Sequence, residues 1–478
     1  MRRAKILATL GPTSNTPEIL EAFIASGLNA VRINMSHGTQ AEHAQNIVIA
    51  REAAAKINRP LAILVDLSGP KIRTGILKDK LPVTLVNGQS FVITSRQIEG
   101  NSMEVSTNFT DLPSLAQPGA SILLDDGALE LKVESTTETD VVTRVVNGGL
   151  LYERKGINLP NTALPIPSLT AKDREDLAWA VGQNVDYIAL SFVRKAEDCI
   201  EAKELIQQHG GRAMLVAKIE KAEAIVNLEE ILEATDGVMV ARGDLGVETS
   251  VELVPVYQKR IIEGAIAHDK FVITATQMLQ SMINEPRPTR AEASDVANAV
   301  WDGSDAVMLS AESASGRFPV ESVAMMCRII EAAEDGNPVG SRKILKYTGE
   351  ITGRTSRALC KAAAIAAEEK NVHKIAVFTE SGLMARRLSS VRPQQRIFAL
   401  TSDENVRSQL ALIWGVEPIF HPRSDSTEEM LRGGEETLLK AEVVEPGEDL
   451  VIMAGRMSGL GLSSSVVVST VGETVPRR

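Results

Sequence analysis

Aromatic side chains, cysteine and long apolar runs are all scarce in this chain. Of its 478 residues, 3% are aromatic and three are cysteine. Cys199, Cys327 and Cys360 lie far apart without a CxxC pair, which excludes a disulfide framework and a cysteine zinc site and suits a reducing compartment. All three read as small buried apolar residues. No stretch approaches the roughly 18 apolar residues that cross a bilayer. The opening MRRAKILATLGP sets two arginines before an apolar run that stops at Gly-Pro, too short for the core of a signal peptide. A cytoplasmic, soluble protein without a membrane partner is therefore expected. Positive charge is also lacking: the formal net charge of −11 repels nucleic acid and anionic membranes at long range. An anionic substrate then needs cations gathered locally.

What is present is a repeated unit. Short β-branched runs recur at 5–12, 30–36, 61–67, 187–192, 214–220, 237–244, 271–277 and 306–312, and amphipathic stretches such as 39–57, 196–209, 222–234, 252–268 and 289–301 lie between them. Strand-helix repeats feed a parallel sheet. Eight of them fit an α/β fold closed into a (β/α)8 TIM barrel better than an open doubly wound sheet, because no GxGxxG follows the first strand. Between the third and fourth units, alternating apolar and polar residues with Asn-Gly and Asp-Gly turns read as an inserted antiparallel β-barrel lid domain. Its return, NLPNTALPIP (158–167), holds three prolines that stiffen a hinge. The expected division is barrel 1–70, lid 71–165, barrel 166–340, a linker, and a C-terminal α/β regulatory domain over 355–478. Strands of that last domain are expected at 374–379, 396–400, 416–420 and 449–455.

The polar residues then fall into place. Arg32, Asn34 and Ser36 alternate at the end of the second strand, and Asp66 closes the third. Lys218 and Glu220 end the fifth, Asp244 follows the sixth, Thr276 ends the seventh, and Ser310 and Glu312 follow the eighth. A charge at one strand end is ordinarily a solvated loop residue or half of a structural ion pair. Ten polar groups at the carboxyl rim of one barrel, where active sites of this fold form from several strands, read as a site.

Their types define a chemistry. Glu220 and Asp244 are hard oxygen ligands of the kind Mg²⁺ shares with phosphates and water, and Arg32, Lys218 and Arg73 surround them with positive charge. That set favours phosphoryl transfer, which needs positioning and charge stabilisation more than covalent catalysis. A carboxylate pair for glycoside hydrolysis fits less well beside so many cations. ARGDLG (241–246) adds backbone N–H groups at a turn, a seat for a small carboxylate. A lyase or aldolase acting on a pyruvate enolate, and a sensor that binds without turnover, remain as alternatives.

The motifs KILATLGP, VRINMSHG, VDLSGPKIRTG, AKIE, ARGDLGVE, TATQMLQSM and EPRPTRAEASDVANAVWDGSDAVMLSAESASG together resemble the pyruvate kinase family, in order and over the whole chain. The resemblance implies transfer of the phosphoryl group of phosphoenolpyruvate to ADP in glycolysis, giving pyruvate and ATP. It also implies a mobile lid, a regulatory C-terminal domain and a homotetramer. Carried over residue by residue, Glu220 and Asp244 bind Mg²⁺, with Mn²⁺ an alternative. Lys218 and Arg32 neutralise the transferring group, and Arg73 holds phosphates. The backbone around Arg242, Gly243 and Asp244 receives the carboxylate beside Thr276. Thr276, Ser310 and Glu312 belong to a proton relay to the enolate.

One motif departs from the family's commonest form. Many members hold a potassium ion with Asn, Ser, Asp and a Thr carbonyl next to Asp-Thr-Lys-Gly-Pro-Glu; the matching positions here are Asn34, Ser36, Asp66 and Leu67, in Asp66-Leu67-Ser68-Gly69-Pro70-Lys71. A tethered ammonium can replace the ion, since a unit charge several Å away at an effective dielectric near 20 is worth roughly 2–4 kcal/mol. The expectation is an enzyme that does not require K⁺, with Lys71 as internal cation; a solvent-facing Lys71 beside an ordinary K⁺ site is the alternative. Asn161 stands where the family usually has Gly, and SAES where SGET is common. In the C-terminal domain, Thr379, Ser381 and Gly382 in FTESG, before Arg386 and Arg387, form a candidate loop for a phosphorylated effector, and 455–465 adds a second glycine-rich loop. Glu380 stands where a lysine is frequent, which favours an ordinary surface turn.

Overall fold

The protein is described by a computed structural model covering residues 2–160, 162, 166–336, 351–454 and 465–473. Eight parallel strands close into a barrel in chain order: Lys5–Thr9, Ala30–Asn34, Ala62–Asp66, Tyr187–Leu190, Met214–Ile219, Gly237–Ala241, Phe271–Ala275 and Ala306–Leu309. The wall shuts where Lys5 lies opposite Ala306. Almost every strand residue is buried, because one face fills the interior and the other packs under helices. That is why the runs read as continuous apolar stretches. Thr39, Thr170 and Thr289 each start a surrounding helix with a capping box, completed by Glu42, Asp173 and Glu292, which fixes where each helix turns back over the wall.

The stretch 222–234 is two helices, Ala222–Val226 and Leu228–Ala234. The break falls at Asn227, whose side-chain amide turns aside to donate 2.8 Å to the Arg194 carbonyl. Cys199 and Cys360 are buried as expected, whereas Cys327 is only half-buried.

The insert forms a six-strand sheet, with Ile157–Asn158 at one edge and Glu104–Ser106 at the other, and a two-strand ribbon of Val83–Leu85 with Gly149–Leu151. Its pairings are antiparallel except that Ser90–Thr94 runs parallel to Glu104–Ser106. Apolar side chains from Ile72 to Leu159 make a core of its own. Asn161 and most of the turn after it lie outside the described residues.

The C-terminal sheet has five strands. Lys374–Phe378, Arg396–Thr401, Val416–Phe420 and Asp449–Ala454 are the four expected, and Ser465–Thr470 adds an antiparallel edge. Its VVV triplet is a β-branched signal that sequence reading passed over. Helix Ile351–Glu369 starts inside the stretch expected to be linker, and residues 337–350 lie outside the described residues.

Candidate active site

The rim residues converge as their strand positions require. Asp66, 1% exposed, anchors the arrangement. Its Oδ2 accepts from Arg32 Nε at 2.7 Å, and its Oδ1 lies 3.4 Å from Lys218 Nζ. Lys218 also donates to Ser191 Oγ at 2.7 Å, and Ser191 in turn donates to the Leu67 carbonyl at 2.7 Å. Burial pushes the Asp66 carboxyl up, but Lys218 and Arg32 outweigh it and hold the group below the ordinary carboxylate range. Burial likewise opposes the Lys218 ammonium, and Asp66, Glu220 and Asp244 reverse that effect and raise its pKa. Lys218 is thus a permanent cation at neutral pH.

Glu220 accepts from the Phe192 amide at 2.7 Å through Oε1. Its Oε2 is buried and receives no hydrogen bond, although Lys218 Nζ stands 3.3 Å away. Burial, together with repulsion from Asp244 and against the pull of Lys218, raises the Glu220 pKa. A buried carboxylate oxygen left without a donor, beside a second carboxylate, is what a divalent cation needs. Among the described residues no three or more His, Cys, Asp or Glu side chains gather to hold a metal by themselves, so such a cation must complete its shell with substrate oxygens and water.

Above this rim, barrel and insert enclose a cleft of about 270 Å³, lined among others by Lys71, Arg73, Asp126, Lys155, Lys221 and Asp244. The fields of Lys71, Arg73 and Arg32 overlap there. After partial burial, Arg73, Lys71 and Arg32 in that order hold the His37 imidazole below its usual pKa. Lys71 also helps to lower Asp66 and opposes the net rise that burial and neighbouring carboxylates impose on Glu220 and Asp126, which places its charge among the site carboxylates. Asn34 Oδ1 accepts from the Ser36 amide at 3.2 Å. Three of the four positions of the expected potassium set, Asn34, Asp66 and Leu67 but not Ser36, therefore have oxygens that receive protein donors.

Other rim residues serve the scaffold. The Arg242 side chain turns away from the cleft: Nε donates to the Ala275 carbonyl at 3.1 Å, Nη2 to the Thr276 carbonyl at 2.6 Å, and Nη1 to Asp295 at 2.7 Å. It clamps the loop in which Thr276 and Gln277 adopt φ of 71° and 54°, backbone that costs a β-branched residue roughly 1–3 kcal/mol. The Gly243 amide donates to Thr276 Oγ1 at 2.9 Å, which joins the turn at Arg242 and Gly243 to the threonine. Glu312 is fully buried and accepts from the backbone amides of Leu279 at 3.1 Å and Ser310 at 2.7 Å. Its two oxygens thus orient the loops after the seventh and eighth strands, while Ser310 Oγ is left buried without a partner.

Sequence reading missed several residues. Ser191 holds Lys218 and could have been found from parity, since it follows the fourth strand at the same rim. Asp125 and Asp126 in the insert, with Lys155, Lys221 and Glu248, carried no local signal, because only the closing of insert onto barrel brings them together. Lys221 pairs with Glu248 at 2.7 Å, both nearly buried, and Asn158 Nδ2 of the insert donates to the same carboxylate at 2.8 Å.

In the C-terminal domain, Gly382 at φ 75° opens helix Leu383–Ser390, with Thr379 buried and Ser381 exposed. Of the neighbouring arginines, Arg386 Nη1 donates to the loop's own Ser381 carbonyl at 3.1 Å, and Arg387 Nη1 donates outside the loop to Ser356 Oγ at 2.5 Å. The loop 455–464 lies outside the described residues.

The family model for the pyruvate kinase barrel domain matches residues 1–323, and that for the pyruvate kinase alpha/beta domain matches 357–469. Pyruvate kinase of Clostridium acetobutylicum is 40% identical over 458 residues, covering 95% of this chain and 96% of the relative. Pyruvate kinase 2 of Synechocystis is 43% identical, covering 98% of this chain and 78% of the relative. The crystal structure of a pyruvate kinase from Cryptosporidium parvum superposes with a TM-score of 0.89 at 33% identity, covering 98% of this chain and 96% of that one.

Proposed function

The chain belongs to the pyruvate kinase family and is a phosphotransferase, and on that premise we propose that it transfers the phosphoryl group of phosphoenolpyruvate to ADP without requiring K⁺. The observation that carries this reading is the buried, hydrogen-bond-free Oε2 of Glu220 beside Lys218. Glu220 and Asp244 would hold Mg²⁺, which would neutralise the charge that develops during the transfer.

The chain's own groups have separable tasks. The P–O bond to the enolate breaks as a bond from phosphorus to an ADP oxygen forms. Lys218 and Arg32, both fixed by Asp66, stabilise the three equatorial oxygens. Arg73 and the cations of the insert hold the nucleotide phosphates, and the backbone at Gly243 and Asp244 seats the carboxylate. The remaining enolate takes a proton at carbon. Lys218, held protonated at neutral pH, is unsuited to give one up, so the Thr276 hydroxyl and the unpartnered Ser310 hydroxyl face that task, with Glu312 positioning Ser310.

Potassium independence rests on two supports: Asn34, Asp66 and Leu67 have their oxygens engaged, and Lys71 bears on the same carboxylates. The assembly proposed is a homotetramer. Exposed apolar residues Val251 and Val256, and Val467 and Val468 on the C-terminal edge strand, are surfaces that a second copy would cover. A division into barrel 1–70 and 166–340, lid 71–165 and regulatory domain 355–478, a phosphorylated effector at Thr379, Ser381 and Gly382, a role in glycolysis and a cytoplasmic location complete the reading. Among the described residues no helix is long and apolar enough to cross a membrane.

The test is a lactate-dehydrogenase-coupled assay of phosphoenolpyruvate, ADP and Mg²⁺ in tetramethylammonium buffer, with and without potassium. Full activity without potassium is expected; activity only with it would refute the role of Lys71, and none in either buffer would refute the reaction. Lys218→Met is expected to lower kcat roughly 10²–10³-fold with substrate binding little changed.

A further inference from the structure

At the opposite end of the barrel, a cavity of about 360 Å³ lies in the seam with the C-terminal domain. Arg51 and Arg59 reach it from the helix Gln40–Ile57 and the turn beyond, Asp186 from just before the fourth strand, and Arg407 and Ser408 from helix Glu404–Leu410. Asp186 is 3% exposed. Its Oδ2 accepts from the Ile63 amide at 2.7 Å, and its Oδ1 is buried without any partner. Arg407 Nη1 pairs with Glu404 at 3.1 Å while its Nε is likewise buried and unpartnered. Arg51 gives Nη2 to the carbonyls of Gln183 and Asn184, each at 2.8 Å, and Arg59 Nη1 donates to the Ile24 carbonyl at 3.5 Å.

Three arginines, one of them paired with Glu404, line the cavity together with Asp186, whose buried Oδ1 has no donor and whose carboxyl feels the charge of Arg51. Guanidinium forks match a phosphate dianion, a buried acceptor without a partner calls for a ligand or water donor, and the volume is that of a small-molecule site. We propose that this cavity is a second ligand site, remote from the catalytic rim, which takes a small phosphomonoester bearing hydroxyl groups, its phosphate on Arg51, Arg59 and Arg407 and a hydroxyl donated to Asp186. The proposal does not depend on the reaction performed at the rim.

Isothermal titration calorimetry on the full chain, with the rim saturated by phosphoenolpyruvate and no ADP present, tests it. Glycerol 3-phosphate supplies dianion and hydroxyls, methyl phosphate the dianion alone, and glycerate a carboxylate with hydroxyls. Glycerol 3-phosphate should bind about 10-fold or more tightly than methyl phosphate, the worth of a hydrogen bond to a charged group, and more tightly than glycerate. Arg407→Ala should weaken it by at least about 10-fold with kcat unchanged. Asp186→Asn should abolish the preference for glycerol 3-phosphate over methyl phosphate. No saturable heat in the wild type, equal affinity for glycerate, or binding indifferent to Arg407→Ala would each overturn the assignment.

Discussion

The barrel carries one domain on each of its ends, and the two are attached by different physics. The C-terminal domain shares an apolar cluster with the barrel interior: Leu64, Val216 and Phe271 of the strands belong to the same packed group as Ile375, Leu388 and Leu412. Around it are polar ties with little water access. Arg392 forks onto Asp305 at 3.0 Å from both nitrogens, Arg357 pairs with Asp269, Lys5 Nζ donates to the Val416 carbonyl at 2.7 Å, and the Tyr187 hydroxyl donates to the Gln409 carbonyl. The insert, in contrast, keeps its apolar residues in a core of its own, and its described grip on the barrel includes Asn158 on Glu248. A domain that shares a core unfolds with its neighbour; one that touches through polar groups opens at small cost. The rim of candidate site residues lies at the end attached through polar groups.

The comparison can be broken from the floor first. Asp305→Ala leaves the Arg392 guanidinium buried without its carboxylate and is expected to lower stability by about 3–5 kcal/mol, read as a fall in the urea midpoint with barrel and C-terminal domain still unfolding together. Separate transitions would mean that the shared core does not couple them.

Next comes pH. Burial raises the Asp186 carboxyl from 3.8 to about 7, only partly offset by the Ile63 amide and Arg51. A carboxyl raised in the folded state stays protonated where the unfolded chain has ionised. Its contribution therefore worsens as pH climbs from about 4 to about 7 and is constant above. Asp186→Asn should gain roughly 2–4 kcal/mol relative to wild type between pH 4.5 and pH 8. Parallel stability curves would deny the burial. Tyr187→Phe, which deletes one buried donor, is expected to cost about 1–2 kcal/mol and to leave kcat unchanged.

The smallest stability effect belongs to the insert. Asn158→Ala should move the unfolding midpoint by less than about 0.5 kcal/mol, yet raise KM for ADP by up to about 10-fold, because closing loses a hydrogen bond to a buried carboxylate. If it destabilised as much as Asp305→Ala, the contrast between the two ends would be gone.

Strand order and rim position were legible in the sequence because both follow from period and parity: Arg32, Asp66, Lys218 and Glu220 could be placed on one rim from their offsets alone. Direction was less legible. The motif ARGDLG marked the backbone around Arg242, whereas the direction of the Arg242 side chain, which clamps Thr276, could not be read because nothing in the motif tells which way a long side chain turns. Glu312 was expected in a proton relay, and its hold on two backbone amides was not legible because it depends on where the loops after the seventh and eighth strands meet. Asp186 and Glu248 were invisible because each acquires its meaning from a chain segment distant in sequence, across a domain seam. Lys71 lies between these cases: its motif announced it, and its field on Asp66 and Glu220 gives that motif a physical basis.

The pairing of the third strand with the fourth has one more consequence. Leu64, Val65 and Asp66 lie directly opposite Tyr187, Ile188 and Ala189, so the wall is continuous across the place where the insert leaves and returns. To the barrel, that whole domain is one long loop. The entropy of closing a loop grows only with the logarithm of its length, about 0.6 kcal/mol for each doubling. A cover over the reaction can accordingly be grafted, lengthened or exchanged in descent without renegotiating a single register of the barrel beneath it.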